Sequence, residues 1–257
     1  MSLMLLLLII LSISSGSDFR ERRHVEKWFK VTDEDVRAEV ILGREVAANI
    51  LGKYKLYEDK NLNIYINKVG KYLALFSGRG EIEFRFGVIV SEDVNAYSTP
   101  GGYVFITTGA LKHIRNEAEL AGVLAHEIGH VTGMHVIKDL NLKGGGSRSL
   151  VLILSGGTQV VGATFSELID KATDILLEKG FRKEQELEAD KNALIIMSMA
   201  GYDPRAYLEF LQRVGYESVT HPNLRERLKY IRDILKELEV GKGKRLRERF
   251  IKNVKLK

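Results

Sequence analysis

The stretch that most constrains this chain is Ala125-His126-Glu127-Ile128-Gly129-His130, an HExxH pattern set in an apolar run from Leu120 to Val131. On a helix, residues four apart lie about 6 Å apart along the axis and share a face. His126 and His130 can therefore direct two imidazoles at one cation, with Glu127 beside them as a general base for water. Asn116, three residues before Glu119, gives the start signal for that helix. The chain has no Cys, so disulfides and thiolate ligands are excluded, and any metal must be held by His and carboxylate.

Two His leave a tetrahedral Zn²⁺ short of a third protein ligand. A metzincin would carry a His six residues beyond the second His of the motif, but Val136 stands there. His135 is one residue short, and on a continuous helix it points about 140° away from His130, a position beyond the ligands or at the surface. Glu186-Leu187-Glu188-Ala189-Asp190 is the better source. Glu186 and Asp190 share a helical face. Glu186 can bind the metal, and Asp190 can accept a hydrogen bond from the outer N–H of a ligating imidazole.

Around these two helices the pattern reads as α+β and mainly α-helical. A helix from Thr32 to about Leu51 turns Val36, Val40, Ile41 and Val46 inward. A second, about Asn61 to Phe76, turns in Ile64, Val69, Leu73 and Phe76. Alternation from Ile82 to Val90 marks a half-buried strand. Asn95 to Gly102 reads as a turn, and Tyr103 to Thr107 as a second strand. Gly109 to Ile114 is a short helical piece. Further helices are expected at Phe165 to Lys179, Lys183 to Ala200, from Asp203-Pro204 to Val214, and from Leu224 to Leu238.

At 257 residues, with 45% apolar and 28% charged content, the chain suits a single large globular unit. Leu3 to Ile13 is an uncharged apolar run followed by Ser14-Ser15-Gly16-Ser17. It is too short for a spanning helix and reads as a signal peptide or N-terminal anchor over residues 1–17. Residues 18–257 form the remaining domain. The net charge is +5, and Lys242 to Lys257 holds a cluster of Lys and Arg with only Glu248 opposing it, a basic C-terminal tail that can meet an anionic membrane surface. There is no nucleic-acid-binding signature. The Gly-rich stretch 144–162 reads as a connector or cover.

Four blocks resemble one family, the HtpX/BepA-like zinc metallopeptidases, gluzincins related to the type-I CAAX prenyl proteases. They are Asn95-Ala96-Tyr97-Ser98-Thr99-Pro100-Gly101-Gly102-Tyr103-Val104-Phe105, the HEIGH helix with His135 beyond it, Glu186 to Asp190, and Gly201-Tyr202-Asp203-Pro204 with His221-Pro222 and Arg227. The resemblance covers about Ile41 to Leu238. It implies a zincin-type domain with a small antiparallel sheet at the site. It also implies one Zn²⁺ on His126, His130 and Glu186, and a general base at Glu127. A strand near Tyr103 to Thr107 would pair with substrate backbone, with Asn95, Ala96, Gly101, Gly102 and Tyr103 in contact. His221 is the candidate second donor to the oxyanion, or alternatively a fourth ligand that closes a resting site. Lys183 stands where the family usually has Arg, with Arg182 just before it. The expected activity is endoproteolysis of unfolded or misassembled proteins at the periplasmic or extracytoplasmic face of the membrane, a quality-control role. The rival reading is a zinc-stabilised chaperone-like or peptide-binding module without turnover.

Overall fold

The computed structural model describes residues 32–140, 164–215, 220–238 and 242–256. The expected leader or anchor and the Gly-rich connector lie outside the described residues. Among the described residues, no helix is long and apolar enough to cross a membrane.

The HExxH segment forms the central helix, α4 (Glu117–Thr132), after α1 (Asp33–Lys53), α2 (Lys60–Ala74) and α3 (Thr108–His113). Three strands precede it: β1 (Arg85–Ile89), β2 (Ala96–Ser98) and β3 (Tyr103–Thr107). Beyond it come α5 (His135–Asp139), α6 (Phe165–Asp174, continued by a π turn) and α7 (Lys183–Met199). The chain then forms α8 (Arg205–Val214), α9 (Leu224–Glu237) and α10 (Arg247–Asn253).

α4 is buried from Glu117 to Val131, as its nearly unbroken apolar sequence requires. Its start is set by Asn116, whose side-chain oxygen accepts from the Glu119 N–H at 3.0 Å. Glu119 does not complete a reciprocal box. Its carboxylate instead takes the Arg115 N–H and the Asn116 amide.

α7 crosses α4 in close contact, and Gly129 is the reason it can. A Cβ at that position would lie 2.8 Å from the Ala189 carbonyl oxygen and 3.0 Å from its Cα. Glycine in the HEIGH sequence therefore permits the backbone approach that carries Glu186 to the His pair.

The sheet has the order β1-β3-β2, with β1 parallel to β3 and β2 antiparallel to it. It is thus mixed rather than wholly antiparallel. β3 is the middle strand, so Tyr103 to Thr107 has both edges taken and cannot add a substrate strand. The short β2 arises inside the stretch that sequence reads as a turn. Thr99 N–H donates to Tyr103 O and Thr107 N–H to Asn95 O, which pairs the odd-numbered residues of this strand with β3. By antiparallel alternation, the peptide groups of Ala96 and Ser98 face the open edge.

Gly101 (φ +70) turns the chain between β2 and β3 and presses on α1, where a Cβ would meet the Val40 Cα at 2.6 Å. Its N–H donates to buried Glu39, which also binds the guanidinium of Arg79. Arg79 in turn donates to the Val131 carbonyl at the end of α4. This close seating rotates α1 away from the expected face. Ala38, Leu42, Val46 and Ile50 are buried while Ile41 is exposed. On α2, Ile64 is likewise exposed, and Leu62, Ile66, Val69 and Leu73 carry the packing.

The basic C-terminal segment is docked rather than trailing. Phe250 of α10 enters the core, and Arg249 pairs with fully buried Glu117. Tyr65 and Tyr202 donate their hydroxyls to the same carboxylate. These contacts overcome burial and hold the Glu117 carboxyl below its usual range. Arg245 binds Asp203 and Glu209.

Gly129→Ala is expected to destabilise the fold by about 1–3 kcal/mol through overpacking against Ala189. It should also speed metal release to a chelator. Unfolding midpoints and release rates matching the parent chain would show that the close crossing is not needed.

Candidate metal centre

Two helices and one loop converge on a single point. α4 contributes His126 and His130, whose Nε2 atoms lie 3.0 Å apart. α7 contributes Glu186, with Oε2 3.5 Å from His126 Nε2 and Oε1 3.4 Å from His130 Nε2. His221, just before α9, places Nδ1 3.1 Å from Glu186 Oε1 and 3.4 Å from His126 Nε2. The four ligand atoms all lie within 4.8 Å of one another.

These separations suit a metal. Ligand atoms about 2.0–2.1 Å from a tetrahedral Zn²⁺ stand about 3.3 Å from each other. The charges suit it as well. Asp190 and Glu186 are buried carboxylates on one helix face, and Arg227 is the buried cation between them. Its guanidinium donates twice to Asp190, at 2.8 Å each, and approaches Glu186 Oε2 at 2.9 Å. Tyr207 donates its hydroxyl to Asp190 at 2.9 Å and accepts from Arg227.

Burial pushes both carboxyl pKa values up, but Arg227 outweighs it. Asp190 falls to about 2, and Glu186 is held well below the usual carboxylate range with further help from His221. Two ionised carboxylates against one guanidinium leave an excess negative charge beside the imidazoles. Burial and Arg227 oppose a proton on His126, yet Asp190 and Glu186 together push its pKa up to about 9. Burial, with the charge of His126, drives His130 well below its ordinary value despite Glu186. A centre with this balance attracts a cation, and a divalent ion meets the same demand as a proton on His126.

Each ligating side chain is braced. His126 Nδ1 lies 2.9 Å from Asp190 Oδ1, as the four-residue spacing on α7 implies, though at an off-line donor angle. His130 stacks on Phe181 with ring centroids 4.0 Å apart. Glu127 is buried beside the centre. Its Oε1 lies 3.6 Å from His221 Nε2, and its Oε2 has no hydrogen-bond partner.

A family comparison decides what this site belongs to. The model for peptidase family M48 matches residues 60–235, a span that includes every residue of the centre. The chain belongs to peptidase family M48. Peptidases of the M48 family use zinc, and the donor set found here fits it.

Among M48 relatives, the chain is 28% identical over 190 residues to a putative beta-barrel assembly-enhancing protease of Vibrio cholerae, covering 70% of this chain and 38% of that protein. It is 32% identical over 155 residues to the mitochondrial metalloendopeptidase OMA1 of Arabidopsis thaliana, covering 56% and 30% respectively. With the metalloprotease LoiP of Escherichia coli it shares 27% over 156 residues, covering 58% and 61%. The chain thus spans well under half the length of the first two.

Of the residues expected to touch substrate, Asn95 and Ala96 line the cavity beside His126 and Glu127. Asn95 also donates to Thr220 next to His221, and Ala96 O lies 3.4 Å from His221 Nε2. Gly101, Gly102 and Tyr103 are used inside the fold instead. The two glycines form the buried turn onto α1 and onto Ile82 and Phe84, and Tyr103 lies under the guanidinium of Arg85. Arg182 pairs with Asp139 at the end of α5, and Lys183 is exposed, so neither braces Glu186. That support comes from Arg227, which the family resemblance includes without a role. The demand for a counter-ion to two carboxylates on one buried helix face is the signal that points to it.

Removing that counter-ion should be costly. Arg227→Met is expected to lose about 3–5 kcal/mol of stability, because Glu186 and Asp190 are left buried without compensation. Denaturant unfolding checks this, and a loss under about 1 kcal/mol, the range of an exposed ion pair, would contradict it.

Proposed function

We propose that this chain is a zinc-dependent metalloendopeptidase. The observation that carries the reading is the buried Glu127 carboxylate with an unpartnered oxygen, standing against three His and one Glu that converge within 4.8 Å. His126, His130 and Glu186 would hold the zinc. Bound zinc supplies a Lewis acid for the scissile carbonyl and lowers the pKa of water toward about 7. Glu127 takes the proton from the attacking water and returns it to the leaving amine.

His221 stands where it can act in two ways. Its Nδ1 reaches the ligand set and can serve as the fourth donor of a closed, resting site. Once substrate displaces it, the imidazole N–H can donate to the developing oxyanion.

The open edge of β2 supports the reading of the substrate. Ser98 presents its backbone groups beside α4, and the Ala96 N–H, held by Asn95 Oδ1, would exchange that partner for an extended peptide added as a strand. Such pairing reads main chain more than sequence and requires an unfolded segment. A cavity of about 70 Å³ opens next to Glu127, with Val123, Ala110, Phe210, Leu211 and Val214 on its walls. It suits an apolar side chain of the bound peptide. We assign the substrates to unfolded or misassembled proteins of the cell envelope. The apolar run at Leu3 to Ile13 supports that location, as do relatives named for enhancing beta-barrel assembly.

Glu127→Gln tests the chemistry. The variant should bind zinc as the parent does and lose about 10²–10⁴-fold in the rate of cleaving an unfolded protein such as casein. Cleavage at the parent rate would overturn the role of Glu127. Zinc-loaded parent chain that leaves casein intact, with or without chelator, would favour a binding module without turnover.

A further inference from the structure

His135 is fully buried and touches a zinc-site histidine, which a continuous helix would forbid. α4 stops at Thr132, and Met134 adopts a left-handed conformation (φ 52) before α5 begins. This break swings the imidazole of His135 back toward α4. Gly133 makes the room, because a Cβ there would lie 2.2 Å from His135 Nε2. The result is a contact of 2.8 Å between His135 Nδ1 and His130 Nδ1. On the far side, His135 Nε2 lies 3.2 Å from Glu188 Oε2.

The proton positions in this chain of groups follow from chemistry. His130 Nε2 faces His126 and Glu186, so it must offer a lone pair there, and its ring proton sits on Nδ1. That N–H needs an acceptor, and the atom opposite is His135 Nδ1. His135 must then carry its own proton on Nε2, and the Glu188 carboxylate accepts it. A carboxylate only accepts, so it fixes the direction of the whole relay.

We propose that His135 and Glu188 are positioning residues that set the tautomer and orientation of His130 for metal binding. The inference rests on His130 being a ligand. His126 has a carboxylate, Asp190, directly beside its Nδ1. His130 is braced by a carboxylate acting through a second imidazole. Partners of this kind are worth about 10–100-fold in metal affinity. Glu188, between Glu186 and Asp190 in sequence, thus serves the other histidine from the same helix.

The test measures zinc affinity of the full chain by competition with a chromophoric chelator. His135→Leu removes the acceptor, while His135→Asn is smaller but keeps a carbonyl oxygen near the Nδ1 position. His135→Leu should bind zinc about 10–100-fold more weakly, and His135→Asn should recover most of that loss. Glu188 has a half-exposed side chain, so its variants test the outer half without disturbing the core. Glu188→Ala should weaken binding, and Glu188→Gln, which still accepts through its amide oxygen, should restore it. If His135→Leu fails to fold, the Glu188 pair decides. Equal zinc affinity for the apolar and amide variants would overturn the relay while one tight zinc in the parent chain leaves the metal site standing. A parent chain that binds no zinc would overturn both.

Discussion

Two ionised carboxylates, Glu186 and Asp190, lie fully buried on one face of α7, and the rest of the site follows from compensating them. An uncompensated buried charge costs several kcal/mol, so this helix cannot pack as it does without cations around it. Arg227 supplies one from α9 and engages both carboxylates. The imidazole side of the pair requires the other. Glu186 therefore has an arginine behind it and two histidines in front, which holds its oxygens in place before a metal arrives. The close approach at Gly129 lets this arrangement form, because α4 and α7 meet backbone to backbone at that point.

The helical frame was legible because its signals are local. α4, α7 and α9 appear within a residue or two of their expected ends, set by Asn116, Gly201 and the apolar spacing. Faces were harder. Ile41 and Ile64 are apolar and at helical spacing, yet both are exposed, because Gly43 of α1 must seat against the Pro100 carbonyl and α2 must seat on Phe86 through Gly70. Burial there follows from what packs opposite, and a single sequence does not show that. β2 was hidden for a related reason. Three residues beside a Pro-Gly-Gly turn carry no strand period of their own, and only pairing with β3 makes them a strand. This moved the open edge from the expected β3 to β2.

The donor set was legible in a different way. His126 and His130 on α4, and Glu186 and Asp190 on α7, sit at four-residue spacings that put each pair on one face, with Glu127 adjacent to His126. The structure joins the two faces. What the sequence did not show depends on breaks and crossings. His135 reaches His130 only because Met134 interrupts the helix, and Arg227 acquires its role only when α9 packs behind α7. The basic C-terminal segment read as a tail because its charges are contiguous in sequence. Its partners Glu117, Asp203 and Glu209 are all far from it along the chain.

On the proposed reading, α4 and α7 share a single zinc through His126, His130 and Glu186. Metal analysis of purified chain and its Glu186→Ala variant tests it most directly. The parent chain should carry about one zinc and the variant should lose most of it, because a three-ligand tetrahedral site has lost one donor. Full zinc retention by Glu186→Ala, with the variant folded, would contradict it.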